Sequence, residues 1–359
     1  MDKFGWENYK KRIFAQADVA AGLSLPEQTQ LARVTAENRG NWTLGTASGE
    51  LLGVILRNFT RSNLLPKVGD WVVYKSLPDK ERVLIEKVLP RFSQLSRKDP
   101  KPGEAVEEQV LAVNVDKVFL VQGLDNNFNL NRLERYLVAV QQAGAEPAIV
   151  LNKTDAAQGL DDLKQEAGER LPGIKIFFVS AKTGAGMKEL KDSLGLGETV
   201  VFLGSSGVGK STLINWLLSS LVQETKEVRG KDSKGRHTTT RREMFILPGG
   251  GIVIDTPGMR ELQLWAGKEA VTETFEDIRK LIRNCRFADC THGDKAKGCA
   301  VRQALENGEL AEERYNSFIK LLKETEFQDN KENPVYQKGK KEFWKKINKQ
   351  QNKIYKSEV

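Results

Sequence analysis

Gly204-Ser205-Ser206-Gly207-Val208-Gly209-Lys210-Ser211 decides the fold, through its flanks and through what comes before it. The loop follows the apolar run TVVFL, 199–203, and opens the helical stretch STLINWLLSS, 211–220. In that context successive backbone N–H groups wrap a phosphate, and the start of the helix adds positive potential. Glycines permit the tight turn and the close approach that side chains would block. Lys210 is placed to reach the β and γ phosphates, Ser211 to hold Mg²⁺ through its hydroxyl, and Thr212 to complete the nucleotide-binding set.

The loop binds phosphate whatever the base, so the base must be read elsewhere. Asn152-Lys153-Thr154-Asp155 follows the apolar run EPAIV. The Asp155 carboxylate can accept from the ring N–H and the exocyclic amine of guanine. Adenine lacks that donor pair and would leave the carboxylate unpaired, a large penalty. Lys153 can lay its stem over the base, and Asn152 can tie the loop to its neighbours. Ser180-Ala181-Lys182, after IKIFF, supplies the expected partner: a backbone N–H near Ala181 for the guanine carbonyl, with Lys182 on the other face. Base-reading elements therefore precede the phosphate loop, the rotated order of a circularly permuted GTPase core.

Downstream, Asp255-Thr256-Pro257-Gly258 ends the apolar run GGIVI. Asp255 can sit beside Mg²⁺ through a water, and Gly258 can offer its N–H to the γ phosphate. Between these motifs GKDSKGRHTTTRREM, 230–244, has no apolar period and reads as a switch loop. One of Thr238, Thr239 and Thr240 can give Mg²⁺ a second hydroxyl. Many GTPases place a water-orienting glutamine directly after D-x-x-G, but here that position is Met259, followed by Arg260. His237 is the sole histidine outside the cysteine cluster and can hydrogen-bond an attacking water, which assigns it a catalytic role. Contact with RNA or stabilisation of the switch is the competing reading.

The chain has 359 residues, formal net charge +8 and sequence pI near 9.2, which favours an anionic partner. Residues 31–95 carry short alternating runs broken by turns and predict a small antiparallel barrel, residues 1–96 in all, for RNA or ribosome binding. Trp42, Trp71, Arg57, Arg61 and Lys67 are candidates for its nucleic-acid face, against the reading that both Trp rings fill its core. The charged, proline-bearing RKDPKPGEAVEEQ, 97–109, reads as a boundary linker. Near-continuous apolar strands alternating with helices follow, predicting a three-layer α/β GTPase domain over 110–271.

A helical module, 272–330, carries Cys285-x4-Cys290-x-His292-x6-Cys299. Three thiolates and one imidazole suit a single structural Zn²⁺, with no ligand position open to water. The tail, 331–359, holds nine Lys against three Glu and reads as a disordered or polyanion-ordered extension. Neither a secretory leader nor an apolar run near 18 residues is present, predicting a cytoplasmic protein with no membrane partner.

Taken together, these motifs strongly resemble the ribosome small-subunit-dependent GTPases, bacterial enzymes of circularly permuted order, with G-R-H-T-T-T at 235–240 and the rotated order as the most specific marks. The resemblance covers nearly the whole chain. It implies an N-terminal OB-fold barrel, a permuted GTPase core and a zinc-binding C-terminal domain. It also implies binding of GTP and GDP, and a monomer that joins the small ribosomal subunit and its rRNA late in maturation. Subunit-stimulated hydrolysis would be coupled to release. The resemblance favours His237 as the catalytic histidine and Thr239 as the switch threonine and Mg²⁺ ligand. Two other readings stay open: a guanine-nucleotide-dependent RNA-binding module with incidental hydrolysis, and an assembly GTPase of the large subunit.

Overall fold

The computed structural model describes residues 1–16, 29–38, 40–56, 59, 64–78, 82–99, 107–125, 128–224, 242–255, 267–293 and 296–332. The chain forms two compact units, Met1–Trp265 and Ala266–Val359.

In the first unit, α1 (Trp6–Phe14) precedes a barrel of β1 (Leu31–Asn38), β2 (Asn41–Gly45), β3 (Glu50–Val54), β4 (Trp71–Ser76) and β5 (Arg82–Val88). The strands run in the order β1-β2-β3-β5-β4, and β4 pairs back onto β1, so the barrel closes. Alternation along β1 sends Ala32 and Val34 into the barrel core with Trp42, Leu44, Val72 and Ile85. Arg33 and Thr35 take the other face and are buried too.

Both tryptophans correct the nucleic-acid reading of this barrel. Trp42 lies in its core and donates its indole N–H to the Pro66 carbonyl at 2.9 Å. Trp71 is fully buried against Trp6, with ring centroids 4.8 Å apart. Neither ring is free to stack on a base. Lys67 pairs with Glu37 at 2.7 Å, whereas Arg57 and Arg61 lie outside the described residues.

After the barrel come β6 (Gln94–Asp99) and β7 (Glu107–Val113), which pair antiparallel. The ends of the stretch read as a linker, 97–99 and 107–109, are thus strand residues. The unbroken charged and polar run of 96–99 and 107–109 hides this ribbon from a composition reading; Arg97 Nε donates to Gln109 Oε1 across it at 2.7 Å.

The α/β core runs β8 (Lys117–Gly123), α2 (Leu130–Gln142), β9 (Glu146–Asn152), α3 (Leu160–Arg170), β10 (Lys175–Phe178), α4 (Met187–Asp192), β11 (Thr199–Leu203), α5 (Lys210–Glu224), β12 (Glu243–Ile246) and β13 (Ile252–Asp255). Strands β10-β9-β8-β11-β13 pair in parallel, and β12 joins β13 antiparallel. Phe119, Val121, Val150, Phe202 and Val200 face Met187 and Leu190 of α4 and Leu213, Ile214 and Leu217 of α5. The alternate residues Val118, Leu120, Ile149 and Leu151 are equally buried, and α2 packs along β8 and β9. Strands covered on both faces need apolar side chains at every position, which explains the unbroken runs in the sequence.

The barrel does not hang from the α/β domain by a tether. β1 pairs with β12 through Ala36 and Glu243, so barrel and core share one eleven-stranded sheet. The buried Arg33 guanidinium secures the same junction, donating to the carbonyls of Phe4, Gly69 and Asn114 and lying 5.4 Å from the Trp71 ring. Burial lowers its pKa to about 10, an effect that the charges of Asp116 and Asp70 oppose.

The second unit contains α6 (Lys268–Thr274), α7 (Glu276–Arg283), α8 (Ala300–Glu306) and α9 (Glu312–Glu332). Arg314 of α9 grips Asp277 of α7 through two bonds of 2.6 and 2.7 Å, and its guanidinium lies 4.6 Å from the Phe275 ring. The tail beyond Glu332 lies outside the described residues.

Candidate nucleotide site and metal centre

The carboxyl ends of β8, β9, β10 and β11 bring the guanine and phosphate motifs to one edge of the parallel sheet, where open α/β sheets bind ligands. Asn152, the last residue of β9, is 3 % exposed and joins three segments. Its Nδ2 donates to the Val208 carbonyl of the phosphate loop at 2.9 Å, and its Oδ1 accepts from Ala181 N–H at 3.1 Å. A side chain on Gly209 would collide with Asn152 Nδ2, so the loop approaches this amide only because that residue is glycine.

Asp155 follows in a short 3-10 turn, Thr154–Ala156. Ser180 Oγ donates to its Oδ1 at 2.6 Å, and Lys182 Nζ lies 4.0 Å from its Oδ2. The Ser180 hydrogen bond holds the Asp155 carboxyl below the usual carboxylate range, with Lys182 and Lys153 adding to the effect. The group therefore stays ionised, as an acceptor for two donors must. Lys153 takes a left-handed backbone, φ 67°, and its Nζ donates to Asp125 Oδ2 at 2.7 Å.

In the phosphate loop, Gly204 adopts φ 152°, and a side chain there would strike the Val121 carbonyl of the neighbouring strand. Lys210 Nζ donates to the carbonyls of Gly204 and Ser205 at 2.7 and 2.8 Å. Burial lowers the Lys210 pKa from the ordinary lysine value, and Asp255 opposes that shift. Ser205 Oγ accepts from Arg132 Nη1 at 3.1 Å. Ser206, Gly207, Ser211 and Thr212 lie in the same loop and first helical turn, and Asp255 closes β13 beside β11. His237, Thr239 and Gly258 fall outside the described residues.

Sequence reasoning missed Asp125 and Arg132. A signal for Asp125 existed, since it follows the apolar run KVFLVQG as each recognised motif follows its own. Arg132 has none, because in LNRLERYL it takes an ordinary polar position of an amphipathic helix pattern.

Cys285, Cys290, His292 and Cys299 bring their ligand atoms within 4.8 Å of one another. Cys285 Sγ is 3.9 Å from Cys299 Sγ and 3.6 Å from His292 Nδ1, which is 3.5 Å from Cys299 Sγ. A tetrahedron with bonds of about 2.3 Å to sulfur and about 2.0 Å to nitrogen has edges of roughly that length, so the donor set fits Zn²⁺. His292 has φ 54°, and Arg302 Nε donates to its carbonyl at 3.0 Å, which fixes the turn that aims Nδ1 inward. With four protein ligands this centre is structural.

Two concavities lie away from these motifs: one of about 390 Å³ lined by residues including Arg91, Gln94, Glu108 and Gln142, another of about 460 Å³ beside Arg12, Asp116 and Glu198. Among the described residues, no helix is long and apolar enough to cross a membrane.

Residues 88–265 match the family model described as RsgA GTPase. The chain is 42 % identical over 328 residues to the small ribosomal subunit biogenesis GTPase RsgA 1 of Oceanobacillus iheyensis, covering 90 % of this chain and 93 % of that one. The chain belongs to the RsgA GTPase family. It is also 41 % identical over 360 residues to the RsgA of Opitutus terrae, covering 97 % and 95 % of the two chains. The crystal structure of YjeQ from Thermotoga maritima superposes with a TM-score of 0.64 at 29 % identity, over 83 % of this chain and 98 % of that one. YloQ, described as a circularly permuted GTPase, gives a TM-score of 0.62 at 26 % identity, over 84 % and 96 %. The RsgA relationship thus extends over barrel, core and C-terminal unit together.

Proposed function

We propose that this chain hydrolyses GTP to GDP and phosphate while bound to the small ribosomal subunit, and that it acts late in the maturation of that subunit as a cytoplasmic monomer. Its membership of the RsgA family supports the reaction and the partner. The observation that carries the nucleotide assignment is Asn152, whose single amide ties the base-reading segment to both the Ala181 loop and the phosphate loop. A guanine nucleotide lying across these segments would touch all three.

In this reading Asp155 takes the guanine donors, Ala181 N–H the guanine carbonyl, and the stems of Lys153 and Lys182 flank the base. The loop Gly204–Ser211 wraps the phosphates. Lys210 exchanges its two backbone acceptors for phosphate oxygens, a small movement of an ammonium already in place. Mg²⁺ would be held by Ser211 and Thr239 directly and by Asp255 through a water, neutralising charge on the terminal phosphates. Gly258 would read the γ phosphate. His237 would orient the attacking water, since Met259 has no polar group with which to do so. We further propose the barrel, residues 1–96, and the zinc module, residues 272–330, as the parts that meet rRNA, with the GTPase domain over 110–271 and the Lys-rich 331–359 as an extension.

The test is His237→Ala. Subunit-stimulated turnover should fall by at least about a hundredfold, as loss of a positioned general base or water-orienting group requires, while GTP affinity stays within twofold. Unchanged turnover would reject the assignment of His237.

A further inference from the structure

Gln122 begins a rigid path to the phosphate loop that no recognised motif includes. It sits in β8, the strand next to the one that feeds the loop, and is 1 % exposed. Its side-chain amide clamps the backbone of Asn129 from both sides: Nε2 donates to the Asn129 carbonyl at 3.0 Å, and Oε1 accepts from Asn129 N–H at 2.9 Å. Asn129 is the N-cap of α2, and its Oδ1 accepts from the backbone N–H of Arg132 at 3.0 Å. The first turn of α2 is thus fixed to the sheet, and Arg132 projects from it to Ser205.

The chemistry of that arrangement is unbalanced. Arg132 is half-buried, and Ser205 Oγ is its guanidinium's sole hydrogen-bond partner among the described residues, with no carboxylate paired to it. A guanidinium carries five N–H donors in a planar fork, so most remain available. Ordinary structural arginines in this chain are neutralised: Arg170 by Glu134, Arg91 by Asp70, Arg314 by Asp277. The backbone carbonyl of Ser205 is also one of the two acceptors of Lys210 Nζ. Arg132 and Lys210 therefore bring two cations to a single residue of the loop.

We propose that Arg132 is a nucleotide-binding residue, an arginine supplied in cis that donates to the terminal phosphates of the bound guanine nucleotide from the Ser205 side of the loop. This rests on the reading of Gly204–Ser211 as the phosphate loop. A planar fork held beside the loop suits phosphate oxygens, and because Gln122 and Asn129 hold the helix start, little ordering remains to be done on binding. The ligand chemistry is a polyphosphate; a monophosphate would not reach it.

The experiment compares Arg132→Gln and Arg132→Lys with the unaltered full chain, measuring affinity for GTP, GDP and GMP by titration calorimetry without ribosomes. Arg132→Gln should weaken GTP about tenfold and GDP less, leave GMP unchanged, and flatten the salt dependence of GTP binding. Arg132→Lys, which keeps the charge and loses the fork, should fall between. Equal losses for all three nucleotides would show a merely structural role and overturn the proposal, as would GTP affinity within twofold of the unaltered chain. Failure of the unaltered chain to bind GTP would instead sink the phosphate-loop reading, and this proposal with it. Thermal unfolding of both variants within about 2 °C of the parent confirms that folding is not what changed.

Discussion

Replacing Asn152 with Ala removes one amide and unfastens three segments. The side chain is buried, donates to Val208 O at 2.9 Å and accepts from Ala181 N–H at 3.1 Å. Each hydrogen bond contributes about 1 kcal/mol net, and each backbone group left dry and unpaired costs about 1–3 kcal/mol. Water can reach the Ala181 side more readily than the Val208 side, because Ala181 is only partly buried while Val208 is 1 % exposed. The expected loss is therefore about 3 kcal/mol, most of it from the stranded Val208 carbonyl. Chemical denaturation of the full chain, followed by a probe in the α/β core, reads that loss as a lower midpoint at constant slope. GTP affinity should drop at least tenfold in the same variant, since the base loop and the phosphate loop lose their common brace. Asn152→Asp sharpens the reasoning: it keeps the acceptor for Ala181 but turns a carboxylate toward the Val208 carbonyl, so it should be no better than Ala. A stable Asn152→Ala with unchanged GTP affinity would refute the claim that this amide organises the site.

Two further perturbations act on separate groups. The Ser180 hydrogen bond depresses the Asp155 pKa, so the carboxylate is present throughout the neutral range and is lost only as pH falls through that lowered value. The ratio of GTP affinity between the parent and Ser180→Ala, in which titration of the terminal phosphate cancels, should accordingly be constant near neutral pH and rise as pH falls into the carboxylate range; a ratio that does not change with pH would reject this role for Ser180. At the metal centre, Cys290→Ser should lower bound zinc from one per chain and melt the helices of the second unit while leaving GTP binding in place. A variant with full zinc content, or a zinc-free one with intact helices, would contradict the structural assignment.

What the sequence made legible follows from how local each signal is. Strands β8, β9, β11 and β13 could be read because burial on both faces forces an apolar run, the edge strand β10 because IKIFF is itself short and apolar, and each recognised motif stands at the end of such a run. The cysteine cluster was legible because its ligands are few and closely spaced. The pairing of β1 with β12 was not, since two strands some 200 residues apart carry no mark of each other. Arg33 was hidden for a related reason. In LARVTAEN it occupies the polar half of an alternating pattern, a position normally given to solvent, yet that face of β1 closes on Phe4, ahead of α1, and on Asn114, between β7 and β8. Trp42 and Trp71 likewise fill interiors that spacing alone could not distinguish from a binding face.

The central claim is the partner-dependent hydrolysis of GTP, and GTP turnover by the full chain, alone and with purified small or large ribosomal subunits, tests it most directly. Slow turnover by the free protein, raised at least tenfold by small subunits and not by large ones, is the predicted result. Turnover that small subunits leave unchanged, or that large subunits stimulate instead, would contradict the account.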